Sequence, residues 1–584
     1  MTLISGLHVG TSGLQTSQNA LNATAHNLSN IETKGYVRQQ VLQGDRKYNP
    51  TGQSAAIGPQ QTGLGVEFSK IRQVRDYFLD LSYRKEEGRG SFYDICYETT
   101  NELETLLGEM NGAAFQETID DLWTAVEELQ KDPSSSVTQG QFVNVCSQFL
   151  DRASAVYDGL ASYQDNLNER IKDMVGKIND IGEKICKLNQ DILNVELSVE
   201  SANDLKDQRN QLMDELAKYV QYDYSYTLDG VVEIRIEGET FIARGKGEPF
   251  YMGPDIRSGT DPKDNARDSV TGFYTPVWPW ADNQPVFDCS QEISTAKNSN
   301  IGELKSLMLA RGDRRANYTD VSSAYVDPAT GKVVDLYNNG SSDKMATANS
   351  IVMNSMAELD QLVHKVVTDI NNVLTGEKAK IESKENPNNP NRDSESYPSY
   401  ADPKDRPIEL FVRLGSPRYD ETTGEYIPED TTNSPADVST MYTLANIRIN
   451  GDLLKQPTLL GYPDSGFLKP DNTVDQTKAD GLADAFSTMS LILNPNVTKQ
   501  STYKDYYADM LSLVSNSGNV YKSFSEAQAL TVDSLDDSRQ QIMGANSSEE
   551  LSNMIKFQNA YNASSRYINA VSEMLEHLIS RLGG

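Results

Sequence analysis

A heptad seam of fifty residues constrains this chain more than any other feature. Leu150, Ala153, Tyr157, Leu160, Gln164, Leu167, Ile171, Met174, Ile178, Ile181, Ile185, Leu188, Ile192, Val195 and Val199 follow alternating steps of three and four, the signature of a coiled-coil-like helix. At 1.5 Å per residue it would be a rod of roughly 75 Å. A helix of that length does not fit inside a compact globule. It requires long partner helices.

The chain ends supply candidates. Ile4, Leu7, Thr11, Leu14, Gln18, Leu21, Ala25 and Leu28 mark a helix from about Thr2 to Ser29. Met554, Phe557, Tyr561, Ser564, Ile568, Val571, Leu575, Leu578 and Leu582 repeat the pattern almost to the last residue. Leaving such side chains in water forgoes about 1.5–3 kcal/mol for each one buried. The stripes therefore need partners, either each other or the same helices of neighbouring subunits, in which case the ends would order only in an assembly.

Between the ends the pattern changes several times. Asn30 to Ser69 is rich in Gly, Pro, Gln and Thr and predicts extended or irregular chain, ended by a strand near Val66–Ile71. Helical periodicity follows from Asp76 to Tyr219, with a break at Asp132–Pro133. Val232, Ile234 and Ile236 alternate with charged residues between Gly-rich turns, which predicts a small β domain. Helical signals return from Ile301 to Leu374, and 376–440 reads as a loop-rich insertion.

The predicted organisation is an N-terminal axial helix (1–33), an extended or strand linker (34–75), a long helical core region (76–220), an inserted β domain (221–300), a helical return (301–375), a second inserted loop- or β-rich domain (376–490) and a C-terminal helical core and axial helix (491–584). The fold class is α+β multidomain, with coiled-coil-like terminal helices forming an elongated helical core and mostly-β outer domains inserted into it.

Several function classes are disfavoured. The formal charge of −31, with no long basic run, argues against a nucleic-acid partner. No apolar run approaches the ~18 residues of a membrane span, so no membrane insertion is expected. The opening MTLISGLHVGTSGLQ lacks a basic n-region and a dense apolar core, so a cleaved signal peptide is not expected either. Cys96, Cys146, Cys186 and Cys289 form no CxxC pair and read as small buried apolar residues. His8, His26, His364 and His577 are each alone, HExxH is absent, and Gly63 and Gly65 precede a strand instead of opening a helix. No catalytic, cofactor or metal site is expected, and no enzyme. Trp278–Pro279–Trp280 reads either as core or turn packing or as an exposed contact patch.

Three motifs carry a resemblance. The first is Asn19-Ala-Leu-Asn-Ala-Thr-Ala-His-Asn-Leu-Ser-Asn30, followed by Thr33-Lys-Gly-Tyr-Val-Arg-Gln39, where Asn30 can end a helix and Gly35 can supply a positive φ. The second is Ala202-Asn-Asp-Leu-Lys-Asp-Gln-Arg-Asn-Gln-Leu212, supported by Leu359-Asp-Gln-Leu362. The third runs from Glu549-Glu-Leu551 through Ile555-Lys-Phe-Gln-Asn-Ala-Tyr561 to Glu573-Met-Leu575. Together they resemble the flagellar axial proteins, and within them the hook-associated protein 1 (FlgK) family. In the second motif Lys206 and Asn210 stand where that family more often has an apolar residue and an Asp. An alternative is another axial component, such as a hook or distal rod protein.

The resemblance implies a structural protein of the bacterial flagellum that self-assembles as a ring at the distal end of the hook. It implies export through the flagellar type III channel without a cleaved signal, and an extracellular place at the hook–filament junction. The implied partners are the hook protein, the second junction protein and a cytoplasmic export chaperone at the C-terminal helix. The implied assembly interface is Ile4, Leu7, Leu14, Leu21, Asn27, Leu28, Asn30, Gly35 and Tyr36 with Met554, Phe557, Tyr561, Ile568, Val571, Leu575, Leu578 and Leu582.

Overall fold

The structure, a computed structural model, describes residues 3–33, 35–45, 65–108, 115–197, 201–258, 272–289, 291–321, 324–326, 333–335, 350–385, 389, 391–430, 438–460, 467, 474, 476–493 and 500–582. It divides into two compact units. One comprises Met1–Gly88, Ile178–Tyr251 and Ala527–Gly584; the other comprises Arg89–Lys177 and Met252–Glu526. Helices α2 (Tyr77–Gly108), α4 (Ser136–Glu196) and α11 (Tyr503–Met543) contribute residues to both. Helices dominate and the sheets are small, as the period of the sequence predicts.

The heptad seam is real and lies on α4, a helix of 61 residues. From Leu150 to Ile185 every seam position is buried, Gln164 included; Leu188 and Val195 are half-buried, and Val199 lies outside the described residues. Gln164 is tolerated because its Nε2 donates to the carbonyls of Arg311 at 2.6 Å and Arg314 at 2.9 Å. Helix α3 (Phe115–Lys131) stops just before the Asp132–Pro133 break, since proline cannot continue a helix.

In the first unit α1 (Leu3–Ser29) packs against α12 (Ser547–Leu582) and against the antiparallel hairpin of β1 (Gln39–Asp45) and β2 (Val66–Gln73). The predicted linker thus contains a hairpin. Asn546 starts α12 by accepting from the backbone N–H groups of Ser548 at 3.0 Å and Glu549 at 3.3 Å. Helix α5 (Asn203–Tyr219) leads into a three-stranded sheet of β3 (Tyr222–Tyr226), β4 (Val232–Ile236) and β5 (Glu239–Ile242). Val232, Ile234 and Ile236 are its buried face, and Glu237–Gly238 turns the chain with both φ angles positive.

In the second unit Phe115 stacks on Phe149 at 5.4 Å and meets Tyr507 edge-on at 5.0 Å, inside a core that includes Phe142, Leu160, Leu167 and Val363. A separate sheet joins β6 (Gly253–Ser258), β7 (Phe273–Trp278) and β8 (Gln284–Pro285). Residues 221–300 therefore hold two unconnected sheets, one in each unit. The return from 301 to 374 is not continuous helix. A hairpin of β9 (Ala324–Val326) and β10 (Val333–Asp335) separates α6 (Glu303–Arg311) from α7 (Ile351–Leu374).

The 376–440 segment is more ordered than its composition suggests. It carries α8 (Lys378–Glu385) and β11 (Phe411–Arg413), which pairs with β12 (Ile447–Ile449) ahead of α9 (Gly451–Lys455) and α10 (Gln476–Ser487). Its core is aromatic rather than aliphatic: Tyr419 and Tyr426 with Ile381, and Tyr397 and Tyr400 against them. All four cysteines are buried, and none of them is in a disulfide. Trp278 is buried while Trp280, 6.1 Å away, is 45% exposed, so the pair divides between the two readings.

Candidate functional site: a node joining three motifs

Asn27 is buried, 1% exposed, on the last turn of α1. Its Oδ1 accepts from the Tyr36 hydroxyl at 2.7 Å and from the Gln39 N–H at 2.9 Å, while its Nδ2 donates to the Gln39 carbonyl at 2.9 Å. One amide thus fixes the chain reversal between α1 and β1. Asn30 ends the helix, its N–H bonding the His26 carbonyl at 3.1 Å. Gly35 then takes φ +82°, and a side chain there would meet Gln211 at about 3 Å.

The same turn is held from α5. Asp207 accepts from the Val37 N–H at 3.3 Å and from Gln73 Nε2 at 2.6 Å, so it ties β1's approach to the end of β2. Burial pushes the Asp207 carboxyl up to about 7, against the opposing pull of the Val37 N–H and Arg75. Asp204 accepts from Gln39 Nε2 at 3.2 Å and faces His26 at 3.5 Å. Burial, then the nearby carboxylates of Asp204, Asp207 and Glu550, hold the Tyr36 phenol well above its ordinary value. Tyr36 therefore acts as a neutral donor.

The third side comes from the start of α12. Arg38 reaches Glu549 and Glu550, each at 2.8 Å, and its N–H donates to the Met543 carbonyl at 2.8 Å. Beneath, three arginines share two aspartates. Arg84 pairs with Asp214 at 2.6 Å, Arg539 bridges Asp80 at 3.0 Å and Asp214 at 2.7 Å, and Arg75 pairs with Asp80. Burial raises the Asp214 carboxyl, but Arg84 and Arg539 outweigh it and leave it below the ordinary range. The node has the chemistry of a latch: neutral amides and compensated charges joining chain segments hundreds of residues apart.

Comparison with known proteins gives the same grouping. A model of the flagellar hook-associated protein FlgK helical domain matches residues 100–379, a flagella basal body rod protein model matches 7–36, and a flagellar basal body rod FlgEFG C-terminal model matches 539–581. Flagellar hook-associated protein 1 of Salmonella typhimurium is 21% identical over 589 residues, covering 97% of this chain and 98% of that protein. The Bacillus subtilis protein of the same name is 26% identical over 226 residues, 38% of this chain and 45% of its own length. The chain belongs to the FlgK family. A solved structure described as the flagellar hook junction protein FlgK from Burkholderia pseudomallei aligns with TM-score 0.49 and 11% identity, covering 79% of this chain and 99% of that one.

As a FlgK-family member the chain departs from the usual internal motif, and the departures are accommodated. Lys206 pairs with Glu196, and Asn210 accepts from the Tyr226 hydroxyl at 3.0 Å and from Arg84. In the supporting motif, buried Asp360 accepts from the N–H groups of Tyr318 at 2.9 Å and Leu444 at 2.6 Å.

The predicted interface residues fall into three groups. Asn27, Asn30, Gly35 and Tyr36 meet at the node described above. On α12, Met554, Phe557, Tyr561, Ile568 and Leu575 are half-buried and Val571 is buried, while Leu578 is exposed. On α1 the leucine seam is not the face that packs deepest: Leu7, Leu14, Leu21 and Leu28 are only half-buried. The buried stripe is Gly6, Gly10, Thr16, Ser17, Ala20, Ala23, Thr24 and Asn27. The side chains of Ile4 and Leu582 lie outside the described residues.

The reason is distance of approach. A Cβ on Gly10 would stand 2.6 Å from Ile568 Cγ1, and one on Gly13 would stand 2.9 Å from Ser564 Oγ. Absence of side chain lets α12 come close. Apart from Asn27, sequence reading missed this stripe, and it missed Arg84, Arg539 and Asp214, which carry no local pattern. It also missed His364, which pairs with Glu429 at 2.8 Å and stacks on Tyr318 at 3.8 Å.

Proposed function

We propose that this chain builds the hook–filament junction, its copies assembling as a ring at the distal end of the hook. The coarser role, a flagellar hook-associated structural protein outside the cell body, follows from family membership, and the family is one of structural proteins rather than enzymes. The observation that favours self-assembly is apolar surface left on the terminal helices after α1 and α12 have paired. Leu551, Ile555, Met574, Leu578 and Ile579 remain exposed on α12, and Leu7, Leu14, Leu21 and Leu28 are half-buried on α1. Covering each gains about 1.5–3 kcal/mol, which a neighbouring subunit can supply.

On this reading the terminal helices form the assembly interface, contacting the hook protein on one side and the second junction protein on the other. An export chaperone covers the C-terminal helix beforehand, and export proceeds through the type III channel without cleavage. The inserted sheets face outward. The work is mechanical, adapting a flexible hook to a stiffer filament.

The test is to add purified protein to isolated hooks and locate it by immunogold electron microscopy, beside a Leu14→Asp variant. Label at the distal tip, lost in the variant while its circular dichroism is unchanged, is the expected result. Label along the whole hook would assign the chain to another axial component. A motile strain carrying Leu14→Asp would remove the helix-seam interface.

A further inference from the structure

A cleft of about 320 Å³ opens in the first unit between the end of β2, the start of α2 and the first turns of α5. In a chain of net charge −31 its lining is cationic: Lys70, Arg72, Arg75, Lys206 and Arg209, with Asp80 the one acidic residue. Asp80 is already engaged by Arg75 and Arg539, and Lys206 by Glu196. Lys70 and Arg72, two apart on β2, are both exposed.

Arg209 is the anomaly. It is 2% exposed, its Nη1 donates to Asn189 Oδ1 and the Gly230 carbonyl, both at 2.8 Å, and its guanidinium lies 5.3 Å from the centre of the Tyr226 ring. Its Nε has no hydrogen-bond partner, and the carboxylate that acts on it, that of Glu196, is itself paired with Lys206. Burial accordingly lowers its pKa. A buried cation whose nearest carboxylate is shared with another cation is under-compensated, and an anion brought alongside it offsets that cost.

The rim adds apolar surface. Tyr77 and Tyr226, 5.8 Å apart and 47% and 39% exposed, line the cleft; next to Tyr77 in sequence Phe78 is 73% exposed, and two residues past Tyr226 Leu228 stands fully in solvent. Large exposed side chains around a charged floor mark a contact surface. We propose that this cleft receives an acidic side chain flanked by apolar ones from a neighbouring copy of this chain, which completes the charge balance around Arg209. The copy is the fitting partner because its own surface carries the excess carboxylates, 84 Asp and Glu against 53 Lys and Arg. The assignment to a neighbouring copy rests on the self-assembly proposed above; the chemistry of the cleft does not.

The experiment has two arms on the full-length protein. In the first, calorimetry measures binding of an acetylated, amidated Asp-Leu-Glu-Phe peptide, its Asn-Leu-Gln-Phe counterpart and inorganic phosphate. The acidic peptide should bind, the neutral one should not, and Lys70→Glu with Arg72→Glu should weaken binding roughly tenfold or more. Both residues are exposed, so an unchanged melting curve establishes that the variant folds; Lys70→Gln with Arg72→Gln gives a milder version.

In the second arm the same variants are added to isolated hooks. Reduced incorporation relative to the parent supports the proposal. Equal peptide binding by parent and variant, or phosphate bound and peptide not, overturns it. Undiminished incorporation overturns the neighbouring-copy assignment. If the parent fails to join hooks while the acidic peptide binds, the junction reading falls and the carboxylate-receiving cleft stands.

Discussion

The Tyr36 hydroxyl donates to Asn27 Oδ1 at 2.7 Å, and that same amide group pairs with both backbone groups of Gln39. A side chain on the last turn of α1 therefore stands in for a strand partner at the start of β1. Within the N-terminal motif one amide closes the turn, and the contacts from α5 and α12 brace it from outside.

Asn27→Ala leaves the Gln39 N–H and carbonyl without that partner and should cost about 2 kcal/mol. Amide exchange at Gln39 should rise more than exchange in α4. Asn27→Asp keeps an acceptor for the N–H but loses the donor to the carbonyl, so its effect should fall between the parent and the alanine variant.

Gly10→Ala places a Cβ against Ile568. Alanine's better helix propensity gains about 1 kcal/mol, but overpacking costs about 1–3 kcal/mol, so the net effect should be destabilising. Exchange protection on α1 and α12 should drop together. Ile568→Ala makes room, and the double variant should be less destabilised than the sum of the two singles. Simple additivity would mean the helices do not touch at this point.

Asp214→Ala removes the anion shared by Arg84 and Arg539, leaving two buried guanidinium groups poorly compensated. The loss should be about 3 kcal/mol, toward the low end for a broken buried pair because Asp214 keeps some access to solvent. Because the folded carboxyl sits below its ordinary value of 3.8, its contribution is present above that pH and is lost as pH falls further. Acid titration of the parent, read by denaturant midpoint, should therefore show a loss that the variant lacks.

Glu358 and Asp360 on α7 behave in the opposite sense. Burial pushes Glu358 up to about 8 and Asp360 up to about 7. Between the ordinary carboxyl range and those values the folded protein keeps protons that the unfolded chain has released, so stability falls as pH rises, by about 1.4 kcal/mol per pH unit for each group. Exchange protection on α7 should be greater near about pH 5 than near about pH 7. Glu358→Gln, neutral throughout, should remove one group's share of that slope.

The helical period of α4 and α12 and the alternation of β4 were legible because large apolar side chains recur at the spacing of the element they form. The break before α4, the turn at Gly35 and the burial of the cysteines were legible for equally local reasons. The three motifs were legible too, but as separate stretches of sequence. Nothing in Asp207 indicates that it bonds Val37, and nothing in Arg38 that it meets Glu549.

Sequence by itself determined that this chain makes long helices from both ends, with small sheets between them, and which family it belongs to. Tertiary structure alone decided which face of α1 is buried, because glycine, alanine and serine give almost no hydrophobic signal while permitting the closest approach of two helices. It also decided that buried charges such as Arg84, Asp214 and Arg539 are compensated, since a counter-charge hundreds of residues away becomes a neighbour only when the chain has folded.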